Sequence, residues 1–149
     1  DDELLGHDIW FVATGASEYD HAGIQAFLNT HRDRLRGVFL INLESVGAGE
    51  LCTVATEGDT RVLKGDKRIK NLVHKVSGAF HHEFGSVEMP YVSTDAYAAM
   101  DMSLRALTIA GVEGTGFACS HTVDDVPHNV VAKNVDRVAD VVTEVIRRS

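Results

Sequence analysis

The 149-residue sequence is poor in cysteine and in positive charge, and it lacks any long hydrophobic run. Two cysteines, Cys52 and Cys119, cannot build a disulfide scaffold, and no C-x-x-C pair suggests a zinc ribbon. No stretch approaches the ~20 consecutive apolar residues of a membrane span. The start, Asp1-Asp2-Glu3, is acidic and does not have the form of a signal peptide. Fourteen Lys and Arg face 22 Asp and Glu, a net charge of −8. No basic stripe is available to neutralise phosphates, which excludes a nucleic-acid binder of the usual kind. What remains is ordinary for one globular domain over residues 1–149: 44% hydrophobic and 24% charged residues. Such a chain buries about two thirds of its unfolded surface.

The acid is concentrated. Residues 83–125 hold seven carboxylates (Glu83, Glu88, Asp95, Asp101, Glu113, Asp124, Asp125) against one base, Arg105. Such a region favours cations or amines nearby, although a solvated acidic face is the plainer interpretation. Ile9 to Thr14 is an apolar run that predicts a buried strand, since a strand covered on both faces needs no polar alternation. Ile24, Phe27, Leu28, His31 and Leu35 share one helical face, with Gly37 as a stop. Val38–Leu43 and Leu51–Ala55 predict two further strands. Ile69, Leu72, Val73, Val76 and Phe80 form a second helical stripe, with Asp66 placed to cap it. A strand falls within 84–92 and ends near Pro90. Another covers Leu104–Ala110 and ends at Gly111. Residues 111–130 are irregular, and Val135, Val138, Val142, Val145 and Ile146 mark a C-terminal helix. Strands alternate with helices, which predicts an α/β three-layer sandwich around a mostly parallel, twisted sheet.

In such sheets the chemistry sits beyond the carboxyl ends of the strands. That rule points to Thr14–His21, Glu44–Gly49 and the loop around His121. Glu18, Glu44 and His121 supply two carboxylates and an imidazole, a donor set that suits zinc. Asp124 or Asp125 is placed to orient the imidazole. Spacing alone does not separate this from a helix-capping Glu18, a solvated Glu44 and a loop histidine. The other histidines have plainer roles: His31 at the edge of the core, His81-His82 at a helix end, and His21 outside the site despite its nearness to Glu18. Cys119 is either a small buried hydrophobe or a thiolate neighbour of His121. Gly47-Ala48-Gly49 is a turn rather than a dinucleotide loop.

Written out, Phe11-Val12-Ala13-Thr14-Gly15-Ala16-Ser17-Glu18, then Gly23 and Ala26-Phe27, resembles the strand–turn–helix of the zinc-dependent aminopeptidases of metallopeptidase family twenty-eight. That family also includes glutamate carboxypeptidase and glutaminyl cyclase relatives. Ile41-Asn42-Leu43-Glu44-Ser45-Val46-Gly47 resembles its Asn-Leu-Asp-Met-Val-Gly segment, and Ser93-Thr94-Asp95 its Ser-Asp or Thr-Asp element. His121-Thr122-Val123-Asp124-Asp125, followed by Asn134–Val138, resembles its closing loop and last helix. The similarity runs through nearly the whole chain in order.

The resemblance implies a zinc-exopeptidase-like fold lacking the family's N-terminal strands, so the C-terminal part of a larger family fold. It implies hydrolysis of N-terminal peptide bonds, with a peptide or amino-acid derivative as substrate. Glu18, Glu44 and His121 stand at metal-ligand positions, with Glu44 where the family has Asp. Asp95, Asp124 and Asp125 are second-layer or substrate-facing. Ser17 stands where the family places its general-base Glu. A serine hydroxyl cannot take a proton from water as a carboxylate does, and losing a general base typically costs ~10²–10⁴-fold in rate. The family's first His and bridging Asp fall upstream of Asp1. The zinc site is therefore expected to be weak or incomplete and the activity impaired. Family members are often exported, though the compartment of this chain is open. Two rivals stand beside this reading. One is a non-catalytic binding or assembly module, self-associating or pairing with an N-terminal segment. The other is a serine hydrolase using Ser17, Asp95 and His121, since Gly15-Ala16-Ser17 on a strand-to-helix turn resembles a nucleophile elbow, although Tyr19 is bulky for that turn.

Overall fold

A computed structural model describes residue 6 and residues 8–149. The acidic start, Asp1-Asp2-Glu3, lies outside them. In chain order the elements are α1 (Ala22–Thr30), β1 (Phe39–Glu44), β2 (Glu50–Gly58), β3 (Leu63–Lys64), α2 (Lys67–Ala79), β4 (Gly85–Pro90), α3 (Asp95–Asp101), β5 (Arg105–Glu113), β6 (Gly116–Phe117) and α4 (Ala132–Arg147). Short 3-10 turns cover Arg32–Arg34 and Pro127–Asn129.

The six strands form one sheet with the order β1-β5-β2-β3, in which β4 also pairs with β2 and β6 with β5. The sheet is mixed. β1–β5 and β2–β4 are parallel, six residue pairs each, while β2–β5, β2–β3 and β5–β6 are antiparallel. The alternation of elements foretold the parallel ladders but not the reversal of β2, because order along the chain carries no strand direction.

Side chains alternate across β5, and this builds the layers. Leu107 and Ile109 point to one face and pack with Leu51, with Ile69, Val73 and Val76 of α2, and with Val138, Val141 and Val145 of α4. Ala106 points to the other, against Ile24 and Leu28 of α1 and Ala96, Ala98 and Ala99 of α3. The small residues there let α3 lie close to the sheet. Burying each of Leu107 and Ile109 contributes about 1.5–3 kcal/mol. Both are fully buried.

The apolar run at Ile9–Thr14 does not form a strand. Phe11 is 96% exposed and Val12 43% exposed. A strand needs a neighbour to satisfy its backbone groups, and no described strand pairs with this segment. It is held instead by side chains. The Trp10 ring meets Phe27 edge-on at 5.7 Å and His31 at 5.1 Å, and the Arg34 guanidinium lies 4.3 Å over it. β5 also runs on through Gly111, where the sequence predicted its end. A Cβ at that position would collide with the carbonyls of Ser45 and Ala48, so the glycine admits a turn against the strand instead of breaking it.

Candidate active site

Four segments bring their side chains near one another. The turn 15–21 carries Ser17, Glu18 and His21; the end of β1 carries Glu44; the β4–α3 connection carries Ser93 and the first residue of α3 is Asp95; the loop after β6 carries His121, Asp124 and Asp125. Seven non-glycine residues in or beside these segments have a left-handed backbone: Ala16, Asp20, His21, Ser45, Tyr91, Cys119 and His121, with φ between 49° and 70°. Each costs about 1 kcal/mol or more for an L residue. Strain of this kind gathers where a fold positions chemistry.

Gly23 fixes the first turn. A Cβ there would collide with the Gly15 carbonyl, so only glycine lets α1 start directly against the loop that bears Ser17 and Glu18. Three turn bonds close that loop: Tyr19 N–H donates to the Ala16 carbonyl, His21 N–H to Ser17 and Ala22 N–H to Tyr19, each at 3.1 Å.

Glu18 and His121, 103 positions apart in sequence, come together. Glu18 Oε1 lies 3.5 Å from His121 Nε2, and both side chains are about three-quarters exposed. Glu44 is more enclosed. Burial pushes its carboxyl above the usual range; the neighbouring Asn42 amide opposes this, Asp95 adds to it, and His21 and His121 oppose it. Ser17 is exposed on the loop. Asp124 and Asp125 are exposed too and line an open cleft with Ser45, Cys119 and Asn129; the Asn129 amide donates to the Asp124 carbonyl at 2.8 Å.

Asp95 has different company. Its Oδ2 accepts a 2.6 Å hydrogen bond from the Thr14 hydroxyl, and its Oδ1 lies 3.2 Å from His21 Nδ1. His21 Nε2 is 3.0 Å from Ser93 Oγ. Asp95 and His121 are thus handed to different partners. His21, which sequence spacing left outside the site, stands within it. As the N-cap of α1 it makes no side-chain cap bond, which leaves its imidazole to these partners. Its one sequence cue is its place three residues after Glu18, too local a signal to reveal a partner 74 positions away.

Beneath this layer lies a carboxyl that no sequence motif singles out. Glu57 is 1% exposed. Its Oε2 accepts from Thr94 N–H at 2.8 Å and its Oε1 from the Thr108 hydroxyl at 3.0 Å. With that proton committed, Thr94 Oγ1 is the donor in the 2.8 Å bond between the two threonines. Thr94 Oγ1 also accepts from Ala96 N–H and so caps α3. Glu57 thereby holds the segment on which Ser93 and Asp95 sit.

A catalytic zinc takes three protein ligands. Among the described residues no group of three or more His, Cys, Asp or Glu side chains is placed to hold a metal ion. Glu18 and His121 make a pair, and a pair does not fit a zinc centre.

The class these observations define is an α/β protein with helices on both faces of a mixed sheet and an exposed carboxylate–imidazole pair. The model of Peptidase family M28 matches residues 2–146, and the chain belongs to this family. No curated protein matches. Solved structures with a similar fold include aminopeptidases. BSAP, a zinc aminopeptidase from Bacillus subtilis, superposes with a TM-score of 0.69 at 15% identity over 91% of this chain and 34% of its own. The aminopeptidase from Aneurinibacillus sp. strain AM-1 gives 0.66 at 17% identity, over 89% of this chain and 31% of its own. The LapA aminopeptidase of Legionella pneumophila gives 0.66 at 11%, over 89% and 37%. The chain spans about a third of the length of these enzymes.

Proposed function

We propose that this chain is an aminopeptidase-type M28 domain whose hydrolysis of N-terminal peptide bonds is strongly impaired, with at most weak zinc binding. The observation that carries this reading is the exposed Glu18–His121 pair, 3.5 Å apart, beside a serine where a carboxylate base is needed. The pair retains one oxygen and one nitrogen donor of the expected set. Glu44 would be the third donor, but among the described residues no three such side chains are placed to hold one ion. Ser17 is too weak a base to take a proton from water, a loss on the order of 10²–10⁴-fold. Acidic surroundings at this site, Glu18, Glu44 and Asp95 among them, favour substrates with a free amine over anionic ones.

The test is hydrolysis of aminoacyl-nitroanilides with and without added zinc. The expected result is little or no turnover in either condition. Zinc-dependent turnover that disappears in Glu18→Ala overturns the proposed impairment.

A further inference from the structure

Ser93, His21 and Asp95 are joined in one line of hydrogen bonds, and the chemistry of each fixes the direction of the protons. The Asp95 carboxylate only accepts, so the proton between it and His21 belongs to Nδ1, at 3.2 Å from Oδ1. In the neutral imidazole this leaves Nε2 with a bare lone pair. The group facing that lone pair is the Ser93 hydroxyl, at 3.0 Å, which must donate to it. The second Asp95 oxygen is occupied by Thr14 at 2.6 Å, which holds the carboxylate in register with the ring. His21 and Asp95 are largely enclosed, 12% and 14% exposed, while Ser93 faces solvent. A hydroxyl donating to an imidazole that is itself oriented by a carboxylate is the geometry of an activated nucleophile.

We propose that Ser93 is the nucleophile and His21 the general base of a metal-independent acyl-transfer site, with Asp95 as the positioning residue. Ser93 Oγ attacks the carbonyl carbon of an ester while its proton passes to His21 Nε2, and the carbonyl π pair moves to oxygen. Collapse of that adduct breaks the ester C–O bond, and the imidazolium returns the proton to the leaving alkoxide. Water then repeats the sequence on the acyl-serine, releasing the acid and restoring Ser93. The substrate class is an ester with a neutral or cationic acyl group, since Glu44, close enough to interact with Asp95 and His21, repels anions. Tyr19 and Tyr91, each two residues before a member of the line, are 79% and 81% exposed and offer aromatic surface to such a group. This site needs neither Glu18 nor His121 and stands apart from the peptidase reading.

The experiment is labelling with an alkyl fluorophosphonate in the presence of a chelator, with the modified residue mapped by mass spectrometry. In the reaction Ser93 Oγ bonds to phosphorus and fluoride leaves. The expected result is label on Ser93, slowed by about 10²-fold or more in His21→Gln. Asp95→Asn should also slow it, and Asp95→Glu should recover part of the rate, which a purely structural latch would not produce. Ser93→Cys provides a readout that does not depend on serine reactivity: its introduced thiol should alkylate faster with His21 present than in the double variant Ser93→Cys, His21→Gln. Absence of label on Ser93, label on Ser17 instead, or labelling and alkylation rates indifferent to His21 would each overturn the proposal. The chelator keeps the outcome separate from any zinc-dependent turnover.

Discussion

Glu57 shows how one buried side chain sets both stability and the site above it. Burial raises its carboxyl above the usual range, while the bonds from Thr94 and Thr108 and the charge of His21 act in the opposite direction without cancelling it. A carboxyl with a raised folded-state pKa holds its proton more tightly in the native than in the unfolded chain. Its contribution to stability is therefore complete below the unfolded value, about 4.3, and is lost as pH rises through the folded value. Glu44, raised by burial as well, acts with the same sign. Unfolding by urea at a series of pH values should show stability falling over that rise. Glu57→Gln should make the fall shallower, because the amide oxygen still accepts from Thr94 N–H and its NH2 can donate to Thr108 Oγ1 without any charge to desolvate. Equal slopes in the two proteins would contradict the assignment.

At the scale of elements, α2 gives the clearest case of local sequence dictating structure. Asp66 Oδ1 accepts from Ile69 N–H at 2.8 Å, closing the first turn, and Oδ2 accepts from Arg105 Nε at 3.0 Å, tying the helix to the start of β5. Partial burial would raise this carboxyl, but the Arg105 and Ile69 bonds outweigh it and the net shift is downward. A depressed carboxyl contributes above its unfolded value and loses that contribution as pH falls through the folded one. Asp66→Ala should therefore cost about 1–2 kcal/mol at neutral pH in urea unfolding, most of it the cap, with the difference shrinking in acid. A variant as stable as the parent at pH 7 would mean that the cap adds nothing. The cap and the apolar stripe behind it were legible because both signals lie within one helical turn of each other. The short helix α3 was not: its Ala-rich sequence has no periodic stripe, and its cap depends on Thr94 being held by Glu57 and Thr108 from elsewhere. The run at Ile9–Thr14 failed in the opposite way. Apolar residues in sequence state a preference for burial, and only a neighbour decides whether it is met. Here Trp10 finds α1 while Phe11 finds water.

For the whole molecule, the order of motifs carried more than any single one. Glu18 and His121 meet across 103 positions because the turn before α1 and the loop after β6 are brought together by the fold. The family match over residues 2–146 agrees with that order. What the order did not reveal is the role of His21, since its partners Asp95 and Ser93 arrive from the start of α3 and the connection before it through a tertiary contact. Among the described residues no helix is long and apolar enough to cross a membrane. The fold matches about a third of zinc aminopeptidase BSAP, yet among the described residues no group of three metal donors forms and Glu18 pairs with His121. The most direct check is the zinc content of the purified protein after loading and dialysis, measured by inductively coupled plasma mass spectrometry. Well below one zinc per chain is the expected content. One or more ions retained per chain, and lost in both Glu18→Ala and His121→Ala, would contradict it.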